Sequence, residues 1–426
     1  MFRLTLPFAV YRSDRRSFLA LSTASMALGA IGAKAANPAY GSKLHGSELS
    51  VIQVFLEGGL SHIDSFDPKP GAPSHIRSGF GSIPTRIPGV AFTEHLPCLS
   101  NIADRVCVLR GVTHQSAIHE SAKRLMLTGV ENARSETPSI GAVAAWLEGS
   151  LRAVPANVSI PSLSQDAGEL GQRYGSFAAY GDGSQVVRRL NENGSDRIHS
   201  IDRRLRWRRA FSTRVATHAV GNATWETDNA YSSADERLKS NQLARILQTS
   251  DSSDDWRNGF GDSQAGEYCW MASKFIAAGS RFVTVSLGGW DTHFHGFRTL
   301  SKSLPILDKA LAGLIQRLET RGLLEKTMVW LNTDFGRTPI FDDGGGRSHW
   351  PQAGIGVLAG GRFRRGFVLG ETDSEGATVV NAPVTPSDIA KTIIAELGID
   401  PMKNVPPTGR VLLPEGRVLT ELIESA

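Results

Sequence analysis

Four apolar runs, each closed by a glycine or acidic break, constrain the fold of this chain most. They are Val51–Leu56 before Gly58 and Gly59, Val106–Leu109 before Gly111, Phe282–Leu287 before Gly288 and Gly289, and Thr327–Leu331 before Asp334. Runs this rich in β-branched and large apolar residues suit strands covered on both faces, as in a parallel sheet. Helical patterns alternate with them. Leu304, Ile306, Leu307, Leu311, Leu314, Ile315 and Leu318 recur at helical spacing, and Asp388–Leu397 follows the helix-start signal Thr385-Pro386-Ser387. This βαβ rhythm predicts an α/β fold, a three-layer sandwich with a mostly parallel central sheet. Residues 150–265 carry few strand signals and mainly polar helical patterns, including the basic run Arg203–Arg209, and read as a helical insertion.

In an open parallel sheet, ligands sit where strands end at their carboxyl edge. The polar clusters of this chain follow its strands. His62 and Asp64 come after the first run, and both suit zinc, manganese or iron. The alternative is a turn that uses its Asp and Pro residues for geometry. His114–Ser121 follows the second run and leads into a helix ending near Thr128-Gly129, with Ser116 or Ser121 as possible caps. Asp291, His293 and His295 follow the third run, placing three metal donors within five residues. Asp334 and Arg337 follow the fourth, and His349 lies in a glycine-rich loop before Gly354–Leu358. The planar fork of Arg337 could orient a phosphate or sulfate, or could form a structural salt bridge. No G-x-S-x-G elbow, P-loop or dinucleotide glycine motif is present, which argues against a serine hydrolase, an NTPase and a nucleotide oxidoreductase.

The formal charge of +4 at pH 7 invites a nucleic-acid reading. Its location removes that reading. Residues 1–35 hold Arg3, Arg12, Arg15, Arg16 and Lys34 against the single acid Asp14, and this excess equals the whole net charge. No nucleic-acid partner is expected. Cys98, Cys107 and Cys269 are too few for a disulfide scaffold and form no CxxC pair.

The basic amino terminus resembles a twin-arginine export signal. Ser13-Asp14-Arg15-Arg16-Ser17-Phe18-Leu19 precedes an apolar stretch to about Ala33, and Ala33-Lys34-Ala35 forms an A-x-A cleavage pattern. Cleavage after Ala35 is the expected outcome, and a retained anchor is the alternative. No later segment offers eighteen consecutive apolar residues, so no stable membrane span is expected after signal removal. The resemblance implies a periplasmic or extracellular destination.

The order of motifs resembles the domain-of-unknown-function 1501 family, exported proteins of the sulfatase/alkaline-phosphatase-like superfamily. The matching stretches are GGLSHIDSFDPKP, HxxxxHESAKRLMLTG, SRFVTVSLGGWDTH, MVWLNTDFGRTP, RSHWPQAGIGVLAGG and VTPSDIAKTIIAELGIDP, which span nearly all of residues 36–426, with the helical insertion matching least. The resemblance implies one alkaline-phosphatase-like domain and a divalent metal ion: zinc, manganese, calcium or magnesium. It places Asp291, His293 or His295, and His349 at one metal, with His293 ranked ahead of His295. Asp334 and Asp64 would serve a second. Phe335 stands where phosphatases of the superfamily have a His. Nine residues before Thr128, where sulfatases carry their nucleophile, stands His119, and Lys123 falls where they have an Arg. His119, Ser121, Lys123 and Arg337 are therefore the candidate catalytic residues. The implied function is hydrolysis of a phosphate or sulfate ester of an anionic small molecule or glycan. The alternative is a non-catalytic exported binding protein on the same scaffold.

Overall fold

The computed structural model describes residues 48–148, 154–161, 163, 167–179, 256–405 and 409–424. The export signal (1–35), the basic run Arg203–Arg209 and most of the expected insertion lie outside the described residues.

Eight strands form one sheet: β1 (Ser50–Leu56), β2 (Val106–Val112), β3 (Asn157–Ile160), β4 (Phe177–Ala178), β5 (Phe282–Leu287), β6 (Thr327–Thr333), β7 (Gly354–Ala359) and β8 (Phe367–Leu369). Their order is β8-β2-β7-β6-β1-β5-β3-β4. β1 lies at the centre and pairs in parallel with β5 and β6 in unbroken register. β7 alone runs the other way, antiparallel to both β2 and β6. Its beginning therefore lies at the edge where the other strands end.

Alternate residues feed two cores, as the pleat requires. Ile52, Val54, Val283, Val285, Val329 and Leu331 point into one. That core is closed by α3 (Gln264–Ala277) and α4 (Gly296–Thr320). Val51, Phe282, Met328, Trp330 and Leu358 point into the other, with α2 (Ile140–Glu148) and α5 (Pro386–Glu396). The fold is thus a three-layer α/β sandwich with a mostly parallel sheet. The stripe of α4 buries Leu304, Leu307, Leu311, Leu314, Ile315 and Leu318, but Ile306 is 42% exposed. It sits about 200° around the helix from Leu304, off the stripe. α5 begins at the expected signal: Thr385 accepts from the Asp388 amide at 3.1 Å, and the Asp388 carboxylate accepts from the Thr385 amide at 2.8 Å.

The region expected to be a helical insertion contributes two strands, β3 and β4, at one end of the sheet. The strand signal in β3 is weak because two of its four residues are polar. Each finds a partner within the fold: Asn157 Nδ2 donates to Tyr174 O at 3.2 Å, and Ser159 bonds the Ser176 hydroxyl at 3.3 Å. Cys98, Cys107 and Cys269 are free thiols. Burial pushes the thiols of Cys107 and Cys269 up to about 12. Among the described residues, no helix is long and apolar enough to cross a membrane.

Candidate metal centre

The strand ends deliver the site. β1 ends in Glu57-Gly58-Gly59, β5 in the loop to Asp291 and His293, and β6 in Asp334–Arg337. β2 leads through His114 into α1 (His119–Thr128). His349, just before the reversed β7, pairs with Arg337 in a two-stranded ribbon. α1 is fixed to the sheet by Gln53, whose Nε2 donates to Met126 O at 3.2 Å. It stops at Gly129 (φ 72°), where a Cβ would approach the Ala390 Cβ to 2.3 Å.

His119, Asp291 and His349 bring one ligand atom each to within 4.8 Å of one another. Asp291 Oδ2 lies 3.5 Å from His119 Nε2, and its Oδ1 lies 3.5 Å from His349 Nε2. His293 joins them, with Nε2 at 3.1 Å from Asp291 Oδ1 and 2.9 Å from His349 Nε2. A tetrahedral ion with bonds of about 2.0–2.1 Å places its donors about 3.3 Å apart, so these separations fit one divalent ion.

The partners behind the rings select the atoms that face inward. His119 Nδ1 lies 2.6 Å from Asp334 Oδ2, and donation to that carboxylate leaves a lone pair on Nε2. That Nε2 is buried without a hydrogen-bond partner, as a ligand atom would be. His349 Nδ1 donates to Ala117 O at 2.8 Å, which likewise frees Nε2. Carboxylate and carbonyl partners of this kind fix the tautomers of metal-binding histidines. Burial, with the nearby Arg337 charge, lowers the His349 pKa and favours its neutral form. Burial pushes Asp291 up, but the Arg337 hydrogen bond and charge hold it below the usual carboxylate value. Burial raises Asp334 against the opposing bond from His119. Phe335 packs beneath the group, its ring 4.9 Å from that of His119 and 4.5 Å from that of His349.

Other candidates are placed elsewhere. Asp64 is 2% exposed and accepts two bonds from Arg347, so it is not brought to the group. His295 is exposed at the start of α4, in the left-handed region (φ 53°). Ser121 is exposed on α1, and Ser116 donates to Ile118 O rather than capping the helix. Arg337 is fully buried, donating to Gly59 O, Arg347 O, Gly58 O and Trp290 O, and to Asp291 Oδ1 at 2.6 Å. It positions Asp291 and has no access to a substrate oxygen. Lys123 Nζ donates to Glu57 Oε2 at 3.2 Å.

Glu57 is not singled out by the sequence patterns, and His114 stands there only as the start of a cluster, with no role. Glu57 is the first residue after the central strand, which the strand-end rule alone would have selected. It also accepts from the Ser286 hydroxyl. His114 Nδ1 accepts from the Ser116 amide at 3.2 Å, so its Nε2–H donates to Asp334 O at 2.8 Å. Burial lowers His114 to about 4, from the ordinary 6.5. The unfolded chain then binds a proton below pH 6.5 that the fold resists. Stability is lost as pH falls from about 6.5 towards 4, by roughly 3 kcal/mol for this residue. Urea unfolding across this range should show the slope, and His114→Gln should flatten it. An unchanged slope would exclude His114 as its source.

No curated protein matches the chain. Similar solved structures include the PsFucS1 sulfatase from Pseudoalteromonas sp., at 12% identity and TM-score 0.44, covering 89% of this chain and 73% of that one. The phosphonate monoester hydrolase SpPMH from Silicibacter pomeroyi is similar at 12% identity and TM-score 0.39, covering 88% and 77%. The lipoteichoic acid synthase LtaP from Listeria monocytogenes is similar at 9% identity and TM-score 0.40, covering 86% and 75%. The family described as "Protein of unknown function (DUF1501)" matches residues 48–423, and with nearly every described residue inside that match the chain belongs to the DUF1501 family.

Proposed function

We propose that the protein is an exported, metal-dependent hydrolase of phosphate or sulfate esters. One observation carries the reading: three imidazoles and one carboxylate converge at the carboxyl edge of the sheet, with the His119 Nε2 buried and unpaired. His119, Asp291, His293 and His349 would hold the ion. An imidazole-rich set favours zinc, manganese or iron over calcium and magnesium, which prefer oxygen. The bound ion would polarise the ester and make water a better nucleophile.

The chain's own groups divide the remaining work. Asp334 holds the Nδ1 proton of His119, which commits that imidazole to ligation rather than to attack. Ser121 is exposed on α1, about 200° around the helix from His119. Water is therefore the nucleophile that the site favours: its oxygen bonds to phosphorus or sulfur as the bond to the alcohol oxygen breaks, and one of its protons ends on that oxygen, which leaves as the alcohol. Lys123, held by Glu57, supplies positive charge for the anionic oxygens. Arg337 keeps Asp291 ionised and oriented. Export rests on the twin-arginine pattern at residues 1–35, and the ester class rests on the superfamily resemblance of the motifs.

The test is turnover of 4-nitrophenyl phosphate and 4-nitrophenyl sulfate by purified protein loaded with zinc or manganese. We expect turnover with one of the two, and a loss of more than about 10²-fold in His349→Ala. A second reading, non-catalytic binding of an anionic ligand, is favoured by Phe335, which fills the place of a ligand histidine. Bound metal without turnover of either ester would select it.

A further inference from the structure

A basin of about 530 Å³ opens along α1, beginning one residue past the donor His119. One wall is α1, the helix that carries His119. Glu120, Lys123 and Arg124 line it from that helix, and Arg134, Gln172 and Ser176 from the opposite side. Lys123 links the two places, because it reaches Glu57 at the end of β1 while its own stem faces the basin. Along the helix axis, Arg124 lies about 7 Å beyond His119. The basin thus begins within the reach of a sugar-sized ligand whose anionic head is held at the donor group.

Among the residues that line the basin, Lys123, Arg124 and Arg134 stand against the single acid Glu120. Lys123 is matched by Glu57 at 3.2 Å, and Arg124 is loosely matched by Glu120 at 3.8 Å across one helical turn. A surface pair at that separation is weak. Arg134 is exposed and makes no ion pair among the described residues. Arg134 has the charge of Glu136 near it, without an ion pair, and Arg124 is easily redirected, both outside the donor group. Guanidinium forks are the side chains best suited to sulfate, phosphate and carboxylate.

We propose that this basin holds the alcohol part of the substrate, and that this part carries a second anionic group bound by Arg134 and Arg124. The inference rests on the hydrolase reading above and narrows its substrate class to esters with at least two anionic groups. The hydrolysed group sits at His119, Asp291, His293 and His349, and the retained anion sits about one to two helical turns along α1.

Binding to the metal-loaded protein tests this with two matched pairs. One pair is galactose 6-sulfate and galactose 2,6-disulfate, and the other is glucose 1-phosphate and glucose 1,6-bisphosphate. In at least one pair, the doubly charged sugar should bind about tenfold tighter or more, the size of one charge-assisted contact. The pair that shows the preference identifies sulfate or phosphate as the chemistry. The variant Arg124→Gln/Arg134→Gln should abolish the preference and leave the singly charged sugar unchanged. Equal binding within both pairs, or a preference that survives the double substitution, would overturn the proposal while leaving the hydrolase reading intact. Failure of both singly charged sugars to bind would count against the hydrolase reading itself and take the proposal with it.

Discussion

Asp291→Ala is expected to abolish stable metal binding while the protein remains folded. Asp291 is the one carboxylate of the group and lies near every other donor: His119 at 3.5 Å, His293 at 3.1 Å and His349 at 3.5 Å. Its carboxylate also accepts from Arg337 at 2.6 Å. Removing it takes away the negative ligand and leaves a buried guanidinium facing three imidazoles. Loss of a partner behind a ligand costs about 10–100-fold in metal affinity, and loss of the charged ligand itself should exceed that range. The fold should survive because Arg337 retains four backbone carbonyl acceptors. Metal content after dialysis, with a chelator competition for affinity, reads the effect directly. His295→Ala is the contrasting variant. Its side chain is exposed outside the group, so metal content should not change. Stoichiometric metal in Asp291→Ala, or loss in His295→Ala, would refute the assignment of ligands.

The sheet was legible in the sequence because a strand buried on both faces leaves an unmistakable composition. All four runs became strands, and the Thr385-Pro386-Ser387 signal became a capped helix. β3 was not legible because Asn157 and Ser159 meet partners that only the fold supplies, and β4 was not legible because Phe177–Ala178 is too short to leave a pattern. At the site, strand ends told which residues reach the carboxyl edge but not which way each side chain turns there. Asp291 and His349 come together with His119, whereas Asp334, expected at a second metal with Asp64, instead stands behind His119 Nδ1. Asp64 reaches the same edge and turns to Arg347, a partner 283 residues away. Arg337 had the chemistry of an anion binder, but backbone carbonyls from three loops enclose it. Nothing local to Asp64 or Arg337 encodes those partners.

Asp64→Ala should act on the fold rather than on the metal. Asp64 and Arg347 are both almost fully buried, and they form a two-point pair, with Nε to Oδ2 at 2.7 Å and Nη2 to Oδ1 at 3.2 Å. The Ser61 hydroxyl donates to the same carboxylate at 2.6 Å. Arg347 further donates to Ile76 O at 2.9 Å and Thr338 O at 3.1 Å, and lies 3.9 Å from the ring centroid of Phe341. Removing the carboxylate strands a cation in the interior, which typically costs about 3–5 kcal/mol. Replacing both partners by apolar residues removes the stranded charge, so Asp64→Leu/Arg347→Met should recover much of the loss. Arg347 lies two residues before His349, so the pair also steadies the loop that presents this donor. Metal affinity should weaken in the single variant by about tenfold or less, the lower end for a partner behind a ligand. Urea unfolding measures the first effect, and metal content per folded molecule measures the second. A metal ligand would give the opposite pattern, because the double variant would regain stability and still lose the ion. Retention of metal in Asp64→Leu/Arg347→Met would therefore assign Asp64 to the scaffold, and loss of it would return Asp64 to the ligand set.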